Sequence, residues 1–209
     1  MGEEPAQLLA AVRCARDRVI VLLGLYCGLR VSEIVGLRVE DLDLGRGMLQ
    51  VRHGKGDKDR ALPIPSKLVP ELRAWCEGRT GWLFPSPASA AKHLTSRAVQ
   101  MSIKAAAARA GIVRRVTPHK LRHTAATKLL RSGMDIICLR DFLGHSSVST
   151  TQIYTASDPE YLRSGVEKLD FGNAPLRAYV DRPGLPVSSA AWKSPPPAAI
   201  AQIEASPSV

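Results

Sequence analysis

The segment Thr117–Gly133, TPHKLRHTAATKLLRSG, decides the fold because it carries a complete helix signal at both ends. Thr117 is a typical N-cap residue, and Pro118 suits the first helical turn, where its missing N–H costs nothing. Gly133 is typical of the residue just past a helix C-terminus. We therefore predict a helix that begins after Thr117 and ends at Gly133.

The first turns of this predicted helix carry three polar side chains with spacing typical of one face. His119, Arg122 and His123 stand at positions i, i+3 and i+4. The unpaired backbone N–H groups at a helix start favour an anion, so a phosphate placed there would meet an imidazole and a guanidinium. The alternative is a polar helix start that only faces solvent, and for a single His–Arg pair this is the more common case.

On either side of this segment, the pattern of apolar residues indicates an α+β domain that is mainly helical, with a small β-hairpin at one edge. Strands Met48–His53 and Arg60–Ile64 flank the Gly-rich polar residues 54–59 and form the hairpin. The other predicted helices are Leu8–Leu25, a short helix capped by Ser32 and ending at Leu37, Lys67–Trp75, Thr95–Ala110, Asp135–Leu143 and about Pro159–Leu169.

Residues 170–209 differ in composition from residues 1–169. They hold seven of the 15 prolines, with many Ala and Ser residues, and their charges cancel. Such a segment buries too little apolar surface to offset its ordering entropy, so we predict a disordered tail after one domain over residues 1–169.

The charge of the chain indicates a polyanionic partner. Lys and Arg number 29 against 19 acidic residues, a net charge of +10 with a pI near 9.8, and residues 1–169 carry all of the excess. Nucleic acid and an anionic membrane surface are both candidates, and a surface kept basic for solubility is the plainer alternative.

Other composition features favour a cytoplasmic protein without a metal or cofactor. No apolar run approaches the roughly 18–20 residues that span a bilayer, and the N-terminus lacks the basic region of a signal peptide. The four cysteines are scattered without CxxC spacing, so disulfides and zinc are not expected.

A second arginine, Arg30, follows Gly28 and precedes the predicted Ser32 cap. It therefore stands where a turn enters a helix N-terminus. Together with Arg122 it could grip both non-bridging oxygens of a phosphodiester through bidentate hydrogen bonds. Glu33 either braces one of these arginines or only complements the helix dipole.

Three further residues have both a plain and a chemical interpretation. Lys55, between two glycines of the hairpin turn, is either solvated or a proton donor on a loop. His145 follows the predicted helix end at Gly144, where a cationic residue is favoured in any case. Tyr154 comes nine residues later and by itself is more often a packing residue than a nucleophile.

The order of these pieces resembles the tyrosine recombinases, the family of phage-type integrases and Xer-like resolvases. The resemblance covers about Leu8–Leu169. It rests on five motifs in the family's order: LYCGLRVSEI at 25–34, GKGDKDR at 54–60 with the following LPI at 62–64, HKLRH at 119–123, LGH at 143–145, and Tyr154.

The resemblance implies an enzyme that cuts and rejoins DNA through a 3′-phosphotyrosine without metal or ATP. Arg30 and Arg122 would clamp the scissile phosphate, with Glu33 in support. His119 would assist proton transfer, and His145 would hydrogen-bond the phosphate. Lys55 would protonate the leaving 5′-oxygen, and Tyr154 would attack. His123 is expected to be structural.

The resemblance also implies double-stranded DNA as the partner and assembly of a tetramer on it. Family members usually carry an N-terminal DNA-clamping domain, and almost nothing precedes the first catalytic helix here. We therefore expect either a fragment or a minimal protein, whose recombination would be impaired unless a partner supplies the missing half. Three alternatives stay open: an inactive, truncated DNA-binding remnant of a mobile-element integrase, a type IB topoisomerase with related chemistry, and a basic protein-interaction module without a DNA role.

Overall fold

The computed structural model describes residues 4–52, 59–144 and 159–172. These residues form an α+β domain that is mainly helical, as predicted. The helices are α1 Glu4–Ala11, α2 Ala15–Tyr26, α3 Val31–Gly36, α4 Val69–Cys76, α5 Ser96–Arg109, α6 Pro118–Arg131, α7 Ile136–Leu143 and α8 Pro159–Glu167. The strands are β1 Leu42–Asp43, β2 Met48–Val51, β3 Arg60–Pro63, β4 Pro85–Ser86 and β5 Ser89–His93.

A three-stranded antiparallel sheet in the order β1-β2-β3 stands beside the helices. The predicted hairpin is confirmed, since β2 pairs with β3 from Met48 opposite Pro63 to Val51 opposite Arg60. Arg60 therefore begins its strand at the end of the hairpin that leads into residues 53–58, which are outside the described residues. The predicted hairpin did not include β1, which adds a third strand beside β2.

Helix α2 lies at the centre of the core. Every residue from Arg18 to Tyr26 is buried, so this helix is covered on all sides. Helix α6 packs closely against it, because a Cβ added to Gly24 would stand only 3.2 Å from the Leu121 side chain. Because Gly24 has no side chain, α6, which carries Arg122, can approach α2 closely.

The termini of α5, α6 and α7 follow the predicted capping signals. Thr95 and Thr117 accept backbone N–H groups of Ala98 and Lys120, and Asp135 does the same for α7. Gly144 ends α7 in the left-handed conformation, with φ of 67°. These local signals placed the helices to within about two residues.

Two predictions about the first helices are wrong. The segment predicted as one helix, Leu8–Leu25, is divided between α1 and α2 because Cys14 is extended and begins a new helix. Arg109 on α5 donates to the carbonyl of Ala11 and so satisfies the end of α1. The cap of α3 is Arg30 and not Ser32, since the Glu33 carboxylate accepts the Arg30 backbone N–H.

Two other features were not predicted. The β4–β5 hairpin was missed because its Pro, Ser and Ala residues look like a loop. The first residues of the predicted tail pack on the domain: Phe171 is buried and meets the Tyr26 ring edge-on at 4.8 Å. Residues 173–209 lie outside the described residues. Among the described helices, none is long and apolar enough to cross a membrane.

Candidate active site

The candidate site is built around the carboxylate of Glu33, in the first turn of α3. This side chain is only 4% exposed, so an unpaired charge here would be costly. It accepts hydrogen bonds from Arg30, the cap residue of α3, and from Arg60 of β3, and Arg122 of α6 lies 3.9 Å from it. We call these four residues the arginine cluster.

Arg30 connects α3 to the end of α7. Its backbone N–H and one Nη1–H donate to the Glu33 carboxylate at 2.8 and 2.9 Å. The same guanidinium donates to the main-chain carbonyls of Leu143 at 3.5 Å and Gly144 at 2.9 Å. Its side chain is 27% exposed, so this arginine has access to solvent.

Arg122 approaches the same place from α6. Its Nη1 donates to the Gly28 carbonyl and its Nη2 to the Leu143 carbonyl, both at 2.6 Å. Arg30 and Arg122 therefore share the Leu143 oxygen as a hydrogen-bond acceptor. This contact brings together two arginines that are 92 positions apart in the chain.

Arg60 reaches the cluster from the first position of β3. Its two Nη atoms donate in parallel to the two Glu33 oxygens, each at 3.0 Å, and its Nε donates to the Phe142 carbonyl at 3.2 Å. Parallel hydrogen bonds of this kind fix the orientation of both groups. Arg60 thus joins the sheet, α3 and α7 in one contact.

Glycine is required at two positions around the cluster. A Cβ on Gly144 would stand 2.8 Å from the Arg60 Nη1, and one on Gly28 would stand 2.8 Å from the Leu143 Cδ2. Both glycines also have φ values near 60°, which other residues rarely adopt. The turns that present the Gly28 and Gly144 carbonyls to the arginines therefore depend on these glycines.

The cluster carries more positive than negative charge. Burial raises the pKa of Glu33, but hydrogen bonds from Arg60 and Arg30 outweigh it and hold this pKa below the ordinary value. Burial and then repulsion from Arg30 lower the pKa of Arg122 to about 10. Glu33 and Arg122 are therefore both ionised at neutral pH, and three arginines surround one carboxylate. Such a place attracts a second anion.

The predicted site residues divide into those that the structure brings together and those that it does not. Arg30, Glu33 and Arg122 converge, and Glu33 contacts Arg30 directly. His119 and His123 are exposed on α6, whereas Arg122 between them is buried, so the three do not share one environment as their spacing suggested. The other three predicted residues, Lys55, His145 and Tyr154, are outside the described residues.

Arg60 is a member of the cluster that sequence reasoning missed. It was visible only as the last residue of the GKGDKDR motif, next to the strand that follows. Its pairing with Glu33 spans 27 positions, and local patterns do not reveal such a contact. Among the described residues, no group of His, Cys, Asp and Glu side chains has the arrangement of a metal site.

Comparisons with known proteins show which family this sequence is similar to. A family model described as "Phage integrase family" matches residues 2–161. Tyrosine recombinase XerA of Thermococcus kodakarensis is 46% identical over 172 residues, which are 79% of this chain and 60% of that protein. Tyrosine recombinase XerC of Xanthomonas campestris is 43% identical over 151 residues, 70% of this chain and 46% of that protein.

Solved structures show the same fold. The integrase of mycobacterium phage Brujita superposes with a TM-score of 0.69 at 32% identity, covering 82% of this chain and 58% of that one. A crystal structure of XerA recombinase superposes with a TM-score of 0.64 at 37% identity, covering 77% of this chain and 59% of that one. XerH recombinase bound to its difH substrate superposes with a TM-score of 0.59 at 27% identity, covering 69% of this chain and 46% of that one.

The chain spans 60% or less of the length of these relatives. Within that span, the family model covers more than half of the 209 residues, and the fold agrees with that of an integrase and two recombinases. This chain therefore belongs to the phage integrase family.

Proposed function

We propose that this chain is the catalytic domain of a site-specific DNA recombinase that cuts and rejoins strands through a 3′-phosphotyrosine. The relatives at 43–46% identity are named tyrosine recombinases, and a structural neighbour is bound to its DNA substrate. Double-stranded DNA is the proposed partner of this chain, which agrees with its charge of +10.

The observation that carries the proposal is the meeting of Arg30 and Arg122 at the carbonyl of Leu143. A phosphodiester under attack gathers negative charge on its non-bridging oxygens, so its reaction is accelerated by fixed positive charge. Each guanidinium has five N–H donors, and the hydrogen bonds described for Arg122 use one on each Nη. The pair is thus suited to clamp one phosphate.

The remaining steps are assigned to the residues of the family motifs. The phenolic oxygen of Tyr154 attacks the phosphorus while the bond to the 5′-oxygen breaks, which leaves the 3′-phosphate on the tyrosine. His119 takes part in moving the phenolic proton, and Lys55 supplies a proton to the leaving 5′-oxygen. His145 donates a hydrogen bond to the phosphate. The new ester retains the energy of the DNA bond, so rejoining needs no ATP.

Assembly on DNA is a further part of the proposal. In the proposed recombination, a further segment or a partner clamps the DNA duplex together with this domain. We expect a tetramer to form on paired sites. Cross-linking with and without DNA, followed by mass determination, tests this expectation.

The decisive experiment is covalent trapping of the full 209-residue chain on nicked duplexes drawn from a library of half-sites. Loss of the short fragment beyond the nick prevents rejoining, so an active enzyme stays attached and migrates slowly on a denaturing gel. Wild type is expected to form the adduct. Tyr154→Phe is expected to form none while it binds the same duplexes within about threefold of wild type, because a single hydroxyl is removed.

Tyr161→Phe is the matched control, because it removes a hydroxyl from α8. That hydroxyl contacts the backbone of Gly133 and Asp135. This variant is expected to retain the adduct. An adduct in Tyr154→Phe would refute the assignment of the nucleophile, and no adduct with wild type across the library would favour an inactive remnant. Relaxation of a supercoiled plasmid that lacks the selected half-site would instead indicate a topoisomerase.

A further inference from the structure

Arg60 differs from the other two arginines in how completely its guanidinium is hydrogen-bonded to the protein. Its side chain is 12% exposed, between the 27% of Arg30 and the 6% of Arg122. All three of its guanidinium nitrogens already donate to protein acceptors, two to Glu33 and one to the Phe142 carbonyl. A guanidinium with these hydrogen bonds is suited to position neighbouring groups rather than to bind a phosphate itself.

The contacts of Glu33 show what Arg60 supports. Each oxygen of the Glu33 carboxylate accepts one bond from Arg60 and one from Arg30. Glu33 therefore bridges the two arginines, and its orientation depends on both. Without Arg60, one side of the carboxylate would lose its partner, and the carboxylate could turn together with the bound Arg30.

Arg60 also fixes the end of α7. Its Nε donates a hydrogen bond to the Phe142 carbonyl. Its guanidinium lies against Gly144, at a distance that leaves no room for a Cβ on that residue. The next two carbonyls, those of Leu143 and Gly144, are the acceptors of Arg122 and Arg30. One side chain thus controls both the carboxylate and the backbone turn that position the proposed phosphate clamp.

We infer that Arg60 is a positioning residue for the proposed strand-transfer reaction, acting through Glu33 and the end of α7 to hold Arg30 against the scissile phosphate. This inference rests on the proposed function. It assigns a role to the side chain that follows the hairpin turn into β3, and it makes Glu33 a relay between the sheet and the clamp. It predicts that loss of Arg60 slows the chemical step more than it weakens DNA binding.

Ionisation of Glu33 gives a second prediction that a purely structural role would not share. Glu33 faces Arg30 beside its own helix, Arg60 from β3 and Arg122 from α6. Burial raises its pKa and the hydrogen bonds from Arg60 lower it, so removal of Arg60 raises it. Glu33 then becomes neutral at a higher pH, and the activity of the variant should fall at a higher pH than that of wild type.

The test compares Arg60→Met and Arg60→Lys with Arg79→Met as a matched control. Arg79 is also a partly buried arginine, but its guanidinium contacts Trp75: it donates to the Trp75 carbonyl and lies over the indole ring, 3.9 Å from the ring centroid. Single-turnover adduct formation is measured for each full-length variant from pH 4.5 to 8, beside DNA affinity and circular dichroism. Circular dichroism gives the folded fraction by which each rate is corrected.

Arg60→Met is expected to lose about 100-fold in rate, the effect of a misplacement near 1 Å, with affinity within about threefold of wild type. The low-pH limb of its profile should move to higher pH. Arg60→Lys keeps the charge without the planar fork, so it should show a smaller shift and an intermediate rate. Arg79→Met should match wild type. A wild-type rate in Arg60→Met, or a loss of rate with an unmoved pH profile, overturns the inference.

Failure of the proposed function would look different. If wild type forms no adduct on any duplex, the clamp is tested with inorganic phosphate as the probe, followed by ³¹P NMR. Weaker phosphate binding by Arg60→Met than by wild type then supports the positioning role without strand transfer. Equal phosphate binding by the two proteins overturns it, and a wild type that neither forms the adduct nor binds phosphate overturns both proposals.

Discussion

Replacement of Glu33 by glutamine tests the arginine cluster as a unit of stability. The change keeps the shape of the side chain and removes its charge, which leaves three arginines facing a neutral amide. Removal of one partner from a buried ion pair costs about 3–5 kcal/mol. The Arg30 side chain is 27% exposed, and the carbonyls at the end of α7 still accept hydrogen bonds from Arg30 and Arg122 in the variant. The cost should therefore lie at the low end of this range. We expect a loss of about 3 kcal/mol.

The assay is thermal and urea unfolding of Glu33→Gln beside Glu40→Gln. The loss expected for Glu33→Gln corresponds to a fall in Tm of about 6–12 °C for a chain of this size. Glu40 also pairs with an arginine, Arg38, but both side chains are nearly half exposed, so its substitution should cost about 0–1 kcal/mol. Equal stability of the two variants would refute the view that Glu33 holds the cluster together.

The pH dependence of the same measurement has a defined sign. The pKa of Glu33 in the folded protein lies below its ordinary value of 4.5. Its contribution to stability is therefore complete above that value and disappears as the pH falls through the lowered pKa. The difference in unfolding free energy between wild type and Glu33→Gln should be constant from pH 7 to about 5.5 and should shrink below about 4. A difference that shrinks between pH 7 and 6 would contradict the lowered pKa.

The other predictions concern packing and DNA binding. Gly28→Ala should destabilise the domain by about 2–5 kcal/mol in urea unfolding, because it combines a left-handed backbone with a contact of 2.8 Å to Leu143. Gly36→Ala, where nothing lies within 4 Å, should be neutral or stabilising, and equal losses would contradict this account. Phe171→Ala should cost about 3 kcal/mol, because the ring is buried against Tyr26; a loss below about 1 kcal/mol would show that the segment after α8 contributes little. DNA affinity measured by fluorescence anisotropy should fall at least about tenfold between 50 and 200 mM salt, and a flat response would exclude binding through phosphates.

Much of the fold and part of the site follow from local sequence signals. The capping residues Thr95, Thr117 and Asp135 and the glycine Gly144 mark helix ends because a cap is a contact between near neighbours. The β2–β3 hairpin follows from two short strands around a Gly-rich turn. Motif order indicated that Arg30 and Arg122 act together, and the structure shows them sharing one acceptor.

Local signals failed for a different reason at each of three places. The break between α1 and α2 has no Pro or Gly at residues 12–14, and Arg109 from α5 satisfies the end of α1. Arg30, not Ser32, caps α3 because the Glu33 carboxylate turns back to its backbone N–H. The spacing of His119, Arg122 and His123 described a helix face, but it could not show which of the three is buried.

The sequence alone determined the family, most of the helices and the two arginines of the proposed clamp, because periodicity, caps and motif order can be read along the chain without knowledge of the fold. Only the tertiary structure showed that Arg60 completes the cluster around Glu33. Its contacts join β3 to α3 and α7 across 27 and 82 positions. A hydrogen bond between such distant residues exists only after the chain has folded, so no local pattern encodes it.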